Sequence, residues 1–269
     1  MNVIIPIKQV PETSKVKMDP VTGTMIREGV ESIINPLDLY AIEVGIDLAK
    51  RTGGKSTVVS MGPPKAEEAL REAVAMGCDA GVLLCHRDFA GSDTWATSYA
   101  LARAVAKIGD YSLVLCGERA TDGDTAQVGP GIAAWLDIPV ATYVSGITEC
   151  REKSVVVRRM VEDGYEKLEI DLPCLLTVVK EIASPRMPTL RGKQRARKIE
   201  IPVWGPVEVG ADPACLGLKG SPTRVVRIDS PKIIRQGDIR APKDPAGMEK
   251  AVDDLVAFLE KRDLIPGKP

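Results

Sequence analysis

Three helix starts carry the residues of this 269-residue chain best suited to chemistry. The richest runs Gly117-Glu118-Arg119-Ala120-Thr121-Asp122-Gly123-Asp124-Thr125-Ala126-Gln127-Val128-Gly129, read as a loop that leaves a strand and enters a helix over Thr125–Leu136. Gly123 permits close backbone approach, and Thr125 with the amides after it offers donors to a phosphate at a helix N-terminus. Asp122 and Asp124 suit a ribose, or equally a helix cap. The loop also reads as a capped turn with no ligand, because its spacing matches neither a P-loop nor G-x-G-x-x-G. The second start is Ser92-Asp93-Thr94, with Thr97 one turn further on the same face. Its residue types serve an ordinary N-cap as well as a ligand. The third is Ile34-Asn35-Pro36-Leu37-Asp38, with Asn35 as N-cap and Pro36 at the first helical position.

The rare residues exclude other chemistries. His86 is the single histidine, which removes multi-histidine metal sites and leaves any histidine-based triad to one residue. It lies between Cys85 and Arg87 at a strand end and reads as a surface residue. The six cysteines form no C-x-x-C pair, and Cys85, Cys116 and Cys174 sit in apolar runs as small hydrophobes. Zinc, iron–sulfur and disulfide scaffolds are not expected. Redox or group-transfer chemistry would then fall to a bound cofactor.

These loops need elements to hold them. Asn2–Lys8, Ser56–Met61, Gly81–Cys85 and Leu113–Cys116 are short apolar runs that read as strands. Helical patterns separate them: one from Asn35 to Gly53-Gly54, then Pro64–Met76, Ser92–Ile108 and Thr125–Leu136. Four successive β-α units predict an α/β fold with a doubly wound, mostly parallel sheet, whose ligands lie beyond the strands' carboxyl ends. Val155–Arg159 and Glu166–Ile170 predict a hairpin extension turning at Asp163-Gly164, followed by a strand over Cys174–Val179.

From Ser184 onward 11 of the 20 prolines fall in the last 86 residues, which predicts an extended arm. The expected division is residues 1–183 as the nucleotide-binding domain and 184–269 as the arm, with Met248–Leu259 helical and docked on something. Lys+Arg number 36 against 37 Asp+Glu, a net charge of −1. That balance, and the lack of interleaved aromatics among the cations of Arg186–Lys198, argues against nucleic acid and for a solvated face or an acidic partner. With 44% apolar residues but no run near the ~18 residues that span a bilayer, and no basic leader, a cytoplasmic or matrix-like location without membrane insertion is expected.

Several of these segments together resemble electron-transfer flavoprotein β subunits. Val157-Arg158-Arg159-Met160-Val161-Glu162-Asp163-Gly164-Tyr165-Glu166-Lys167-Leu168 with Leu172-Pro173-Cys174-Leu175-Leu176-Thr177 is similar to that family's signature segment. Ile7-Lys8-Gln9-Val10-Pro11, Asn35-Pro36 and Asp122-x-Asp124-x-x-Gln127-x-Gly129 follow in the family's order, from about residue 3 to 260. The resemblance implies an adenine-nucleotide α-hydrolase-like fold and an adenine nucleotide across the strand ends. The matching positions are Pro6, Asn35, Pro36, Leu37, Asp38, Met61 and Gly117 through Val128. It implies a recognition loop for the redox partner at Ile182, Pro185 and Arg186, with Ile182 an exposed anchor, and an arm that wraps an α subunit.

Simple members of the family hold structural AMP at this site; electron-bifurcating members hold FAD that takes hydride from NADH. Asp122 through Pro130, and Ser92-Asp93-Thr94 with Thr97, look like the bifurcating type. That resemblance implies electrons passed to ferredoxin or flavodoxin and, through α-subunit FAD, to an acyl-CoA dehydrogenase-type enzyme. The alternatives are a simple carrier with AMP and a stand-alone nucleotide-binding module, with a hydrolase more distant.

Overall fold

The computed structural model describes residues 1–12, 32–226, 237 and 239–265. They fall into two compact units, Met1–Arg227 and Ile228–Pro269. The first contains, in chain order, β1 (Val3–Pro6), β2 (Gln9–Pro11), β3 (Ser32–Ile34), α1 (Asp38–Thr52), β4 (Ser56–Met61), α2 (Glu67–Met76), β5 (Ala80–Leu84), α3 (Thr94–Ile108), β6 (Leu113–Gly117) and α4 (Val128–Leu136). The long strand β7 (Val140–Cys150), the hairpin β8 (Ser154–Val161) and β9 (Gly164–Asp171), and β10 (Cys174–Val178) follow, then α5 (Leu190–Lys198), β11 (Val203–Trp204) and the short α6 (Gly217–Gly220). The second unit contains α7 (Pro245–Glu260).

Among the described residues nine strands form one sheet in the order β11-β5-β4-β1-β6-β10-β7-β8-β9. Pairing is parallel from β11 to β7 and antiparallel across β7-β8-β9. The chain leaves β1 for β4 and β5 on one side, then returns to β6 on the other. That reversal beside β1 is the switch point where open α/β sheets bind ligands.

Strand periodicity assigns the two faces. Val3 and Ile5 of β1, Leu113 and Leu115 of β6, and Leu176 and Val178 of β10 share one core with α1 and α2. Ile4, Val114, Cys116 and Leu175, from the alternate positions, share the other with α3 and α4. Buried on both faces, these strands read as continuous apolar runs, as parallel strands do.

Several expectations shift. α1 begins at Asp38, with Leu37 before it, so Asn35 is not its cap. α4 begins at Val128, leaving Thr125 in the loop. The hairpin turns on Glu162-Asp163, because Val161 pairs with Gly164. β7 was not foreseen: its register breaks between Leu176 and Val178 of the neighbouring strand, and Tyr143 takes a φ of 56°, so its pattern lacks clean alternation.

The stretch after Ser184 also begins as part of the α/β unit. Arg195 of α5 donates to the carbonyls of Val74 and Cys78 at the end of α2, and Ala196 packs on Val74 and Ala75. β11 then adds an edge strand to β5. In the second unit, Asp244 caps α7 by accepting from the Gly247 amide at 2.6 Å, and Pro245 occupies its first turn. Met248, Val252, Leu255 and Phe258 lie exposed along that helix.

Candidate functional site

The carboxyl ends of β1, β4, β5 and β6 open into one cavity of about 1050 Å³. Pro6 and Met61 line it as the last residues of β1 and β4, and Cys116 and Gly117 close it from β6. Its wall on the α4 side is formed by Glu118, Arg119, Ala120, Gly123, Thr125, Ala126, Gln127 and Val128. Across from these, Thr94 and Thr97 contribute from the first turn of α3. The Thr94 hydroxyl donates to Gln127 Oε1 at 3.0 Å, so the α3 and α4 starts are joined at their tips.

Asn35, Pro36, Leu37, Thr121, Asp122 and Asp124 lie outside the lining and act from behind it. Asn35 is fully buried; its amide donates to the Arg119 carbonyl at 2.9 Å and its Oδ1 accepts from the Thr121 amide at 3.1 Å. It therefore stitches the loop after β6 to the entry of α1. Lys8 Nζ donates to Asp122 at 2.6 Å, and Arg119 pairs with Asp124 at 2.9 Å. Asp124, held by Arg119, and Ala126 have φ values of 54° and 55°, left-handed conformations in residues other than glycine.

Asp38 forms the floor. Its Oδ2 accepts from the Lys8 amide at 2.7 Å, and a Cβ on Gly117 would lie 2.4 Å from its Oδ1. Gly117 is thus required by a close approach. Removal from water pushes the Asp38 carboxyl up to about 7, against the Lys8 amide and Asn35, which pull it down.

The two helix starts differ in one respect that bears on ligands. Asp93 caps α3 by accepting from the Ala96 amide at 3.0 Å. Gln127 gives α4 no side-chain cap, and α4's first residues face the cavity. The orphan amides of an uncapped helix end suit a phosphate, and Lys8, Arg87 and Arg119 bring cations to the same cavity. The residues present fit a nucleotide. Burial pushes the Cys116 thiol far up and those of Cys78 and Cys174 up to about 12, which keeps these three in the unreactive thiol form. Among the described residues no cluster of metal-ligating side chains occurs.

Residue-type reasoning missed Lys8, Pro63, Pro64, Arg87 and Phe89, all in the lining. His86 and Arg87 follow β5 after Cys85; the sequence places His86 at that strand end but reads it as a surface residue, and the strand-end rule extended one residue further would have included Arg87. His86 is half exposed at the rim, with Nδ1 accepting from the Asp88 amide at 3.3 Å.

The partner-recognition residues are placed differently from expectation. Ile182 is half-buried against the core beneath α1 and not an exposed anchor, because the turn Lys180–Ile182 folds back after β10. Arg186 forks onto Glu43, with Nε and Nη2 each 2.7 Å from a carboxylate oxygen, and Pro185 beside it is half-buried. The exposed apolar side chains of this stretch are Met187 and Leu190, at 82% and 81%.

Comparison with known proteins agrees with this architecture. The electron transfer flavoprotein domain profile matches residues 22–208. An electron transfer flavoprotein subunit beta from Thermoanaerobacterium thermosaccharolyticum is 48% identical over 98% of this chain and all of its own length. The caffeyl-CoA reductase-Etf complex subunit CarD of Acetobacterium woodii is 48% identical with the same coverage. Protein FixA of Sinorhizobium fredii is 42% identical over 96% of this chain and 93% of its own. The chain belongs to the electron transfer flavoprotein family, as a β subunit that pairs with an α subunit.

Proposed function

We propose that this β subunit serves electron bifurcation. It holds FAD, not AMP, in a cytoplasmic heterodimer that oxidises NADH and supplies both ferredoxin or flavodoxin and, through α-subunit FAD, an acyl-CoA dehydrogenase-type enzyme. The observation that carries the reading is the cavity's extent: about 1050 Å³, continuous from Gly117–Val128 past Thr94 and Thr97 to Arg87. That volume lies just above the ~300–1,000 Å³ range of small-molecule sites, and its lining extends beyond the α4 loop toward β5, which supports the larger of the two nucleotides. FAD, when bound, supplies the exchange between two-electron hydride chemistry and one-electron transfer.

The chain's own residues bind and orient. The α4 amides and the Thr97 hydroxyl donate to a pyrophosphate, Thr94 holds Gln127 and the start of α4 in place beside it, and Lys8, Arg87 and Arg119 balance its charge. Pro6 and Met61 supply apolar lining, and Asn35 with Asp38 holds the two loops in register. The name of the Acetobacterium relative, a caffeyl-CoA reductase-Etf complex subunit, supports an acyl-CoA-linked partner. We assign that partner's docking to Met187 and Leu190 beside the exposed cations Arg191, Lys193, Arg197 and Lys198 of α5, which suit an acidic surface. The apolar residues along α7 suit the α subunit.

The test is nucleotide content. The heterdimer co-expressed with its α subunit is expected to release two FAD and no AMP on acid treatment. One FAD with one AMP would leave a simple carrier and overturn the bifurcation reading.

A further inference from the structure

Asp93 has more acceptors than a helix cap uses. Its Oδ1 takes the Ala96 amide, a task that serine, threonine or asparagine performs equally well. Its Oδ2 faces away from the helix and accepts from both the amide and the hydroxyl of Thr223, at 2.9 and 2.7 Å. The Asp93 amide in turn donates to Ser221 Oγ at 2.8 Å, and that hydroxyl donates to the Gly217 carbonyl at 2.6 Å. One residue earlier, Ser92 Oγ accepts from the Gly217 amide at 3.2 Å and donates to the Phe89 carbonyl at 2.8 Å.

Packing tightens the same contact. Gly217 has a φ of 58°, and a Cβ there would lie 2.3 Å from the Asp88 carbonyl oxygen. Leu216 is 2% exposed and shares a core with Phe89. Phe89, Ser92, Asp93 and Thr94 all line the cavity. One wall of the cavity is thus held by a segment more than a hundred residues later in the chain. Thr223 lies four residues before Arg227, where the first compact unit ends.

We propose that Asp93 is a positioning residue that latches Ser221–Thr223 of the arm to the start of α3, so that the seating of the arm sets how long the cavity retains its nucleotide. The inference rests on the reading of the cavity as a nucleotide site. Asp93 acts through its neighbours: the latch fixes the loop that presents Thr94, and Thr94 reaches across to Gln127 at the start of α4. Burial works against the charged form of Asp93, but the hydrogen bonds from Ala96 and Thr223 outweigh it and hold the carboxyl below its usual range. The latch is therefore charge-assisted at neutral pH.

The test uses the co-expressed heterodimer with Asp93→Asn, Thr223→Val and Thr223→Ser. Asp93→Asn keeps an oxygen for the cap and turns an amide NH2 toward Thr223. Thr223→Val removes the hydroxyl and leaves α3 untouched. Release of bound nucleotide after dilution is followed by flavin fluorescence and by chromatography for AMP, beside thermal melting of the nucleotide-free heterodimer. Asp93→Asn and Thr223→Val are expected to speed release about tenfold with melting within about 2 °C of the parent, and Thr223→Ser to restore the parent rate. Unchanged release in both variants overturns the latch. So does faster release that only follows a lowered melting temperature and is not rescued by serine. If the nucleotide released is AMP, the bifurcation reading falls while the latch is judged on the AMP release rate in the same way.

Discussion

Asp38 places an ionisable group almost out of reach of water, at 6% exposure beneath the cavity. Burial is the largest influence on it and raises its pKa from 3.8 to about 7. Between those values the folded protein keeps a proton that the unfolded chain has released. Its contribution to stability is therefore full below about pH 4 and is lost as pH rises to about 7. Asp38→Asn, neutral throughout, is expected to remove that slope, on the order of a few kcal/mol across the window. Urea midpoints of both proteins at pH 5 and pH 8 measure it; parallel midpoints would show that Asp38 is ionised in the fold. A helix start after a strand, together with the family resemblance, marked Asn35 and Asp38 as site candidates. Their working partners, the Arg119 carbonyl, the Thr121 amide and the Lys8 amide, lie 84, 86 and 30 positions away, beyond any local pattern.

Among the elements, the crossing of α3 and α4 sets the distance between the two helix starts that flank the cavity. Gly131 makes it close: a Cβ there would sit 2.7 Å from both Cβ and Oγ of Ser98, itself 1% exposed. Gly131→Val must push the helices apart, with an expected cost of about 1–3 kcal/mol and a looser Thr94–Gln127 contact. A denaturant midpoint at the parental value would show that the crossing yields without strain. Helix existence was legible from apolar spacing, and β4 was legible to the residue. The start of α4 was not: Thr125 and Ala126 are acceptable helix residues, but Ala126 takes a left-handed conformation, with a φ of 55°, and the helix begins only at Val128. Tertiary contact overrode propensity there.

On the scale of the whole molecule, the proposed nucleotide site and the proposed docking surface are separate. The cavity sits at the strand ends, whereas Met187 and Leu190 stand on the chain leading into α5, which is tied to α2 through Arg195. Leu190→Glu is therefore expected to leave nucleotide content unchanged and to slow electron delivery to the proposed acyl-CoA dehydrogenase-type partner at least about tenfold, since a few anchor residues carry most of an interface's binding energy. A stopped-flow assay at limiting partner concentration reads the rate. Loss of nucleotide in this variant, or an unaltered rate, would contradict the separation of the two surfaces. Among the described residues no helix is long and apolar enough to cross a membrane.

Sequence alone determined the α/β class, the sequence of β-α units and the family resemblance. Each of these depends on short-range information: apolar periodicity, turn residues and local motif order. Tertiary structure decided what depends on distant segments meeting. It seated Ile182 against the core and left Leu190 exposed. It carried α5 and β11 onto the α/β unit and joined Asp93 to Thr223 across 130 positions. No local pattern encodes those meetings, because the free energy that fixes them comes from surfaces buried together only when the chain has folded.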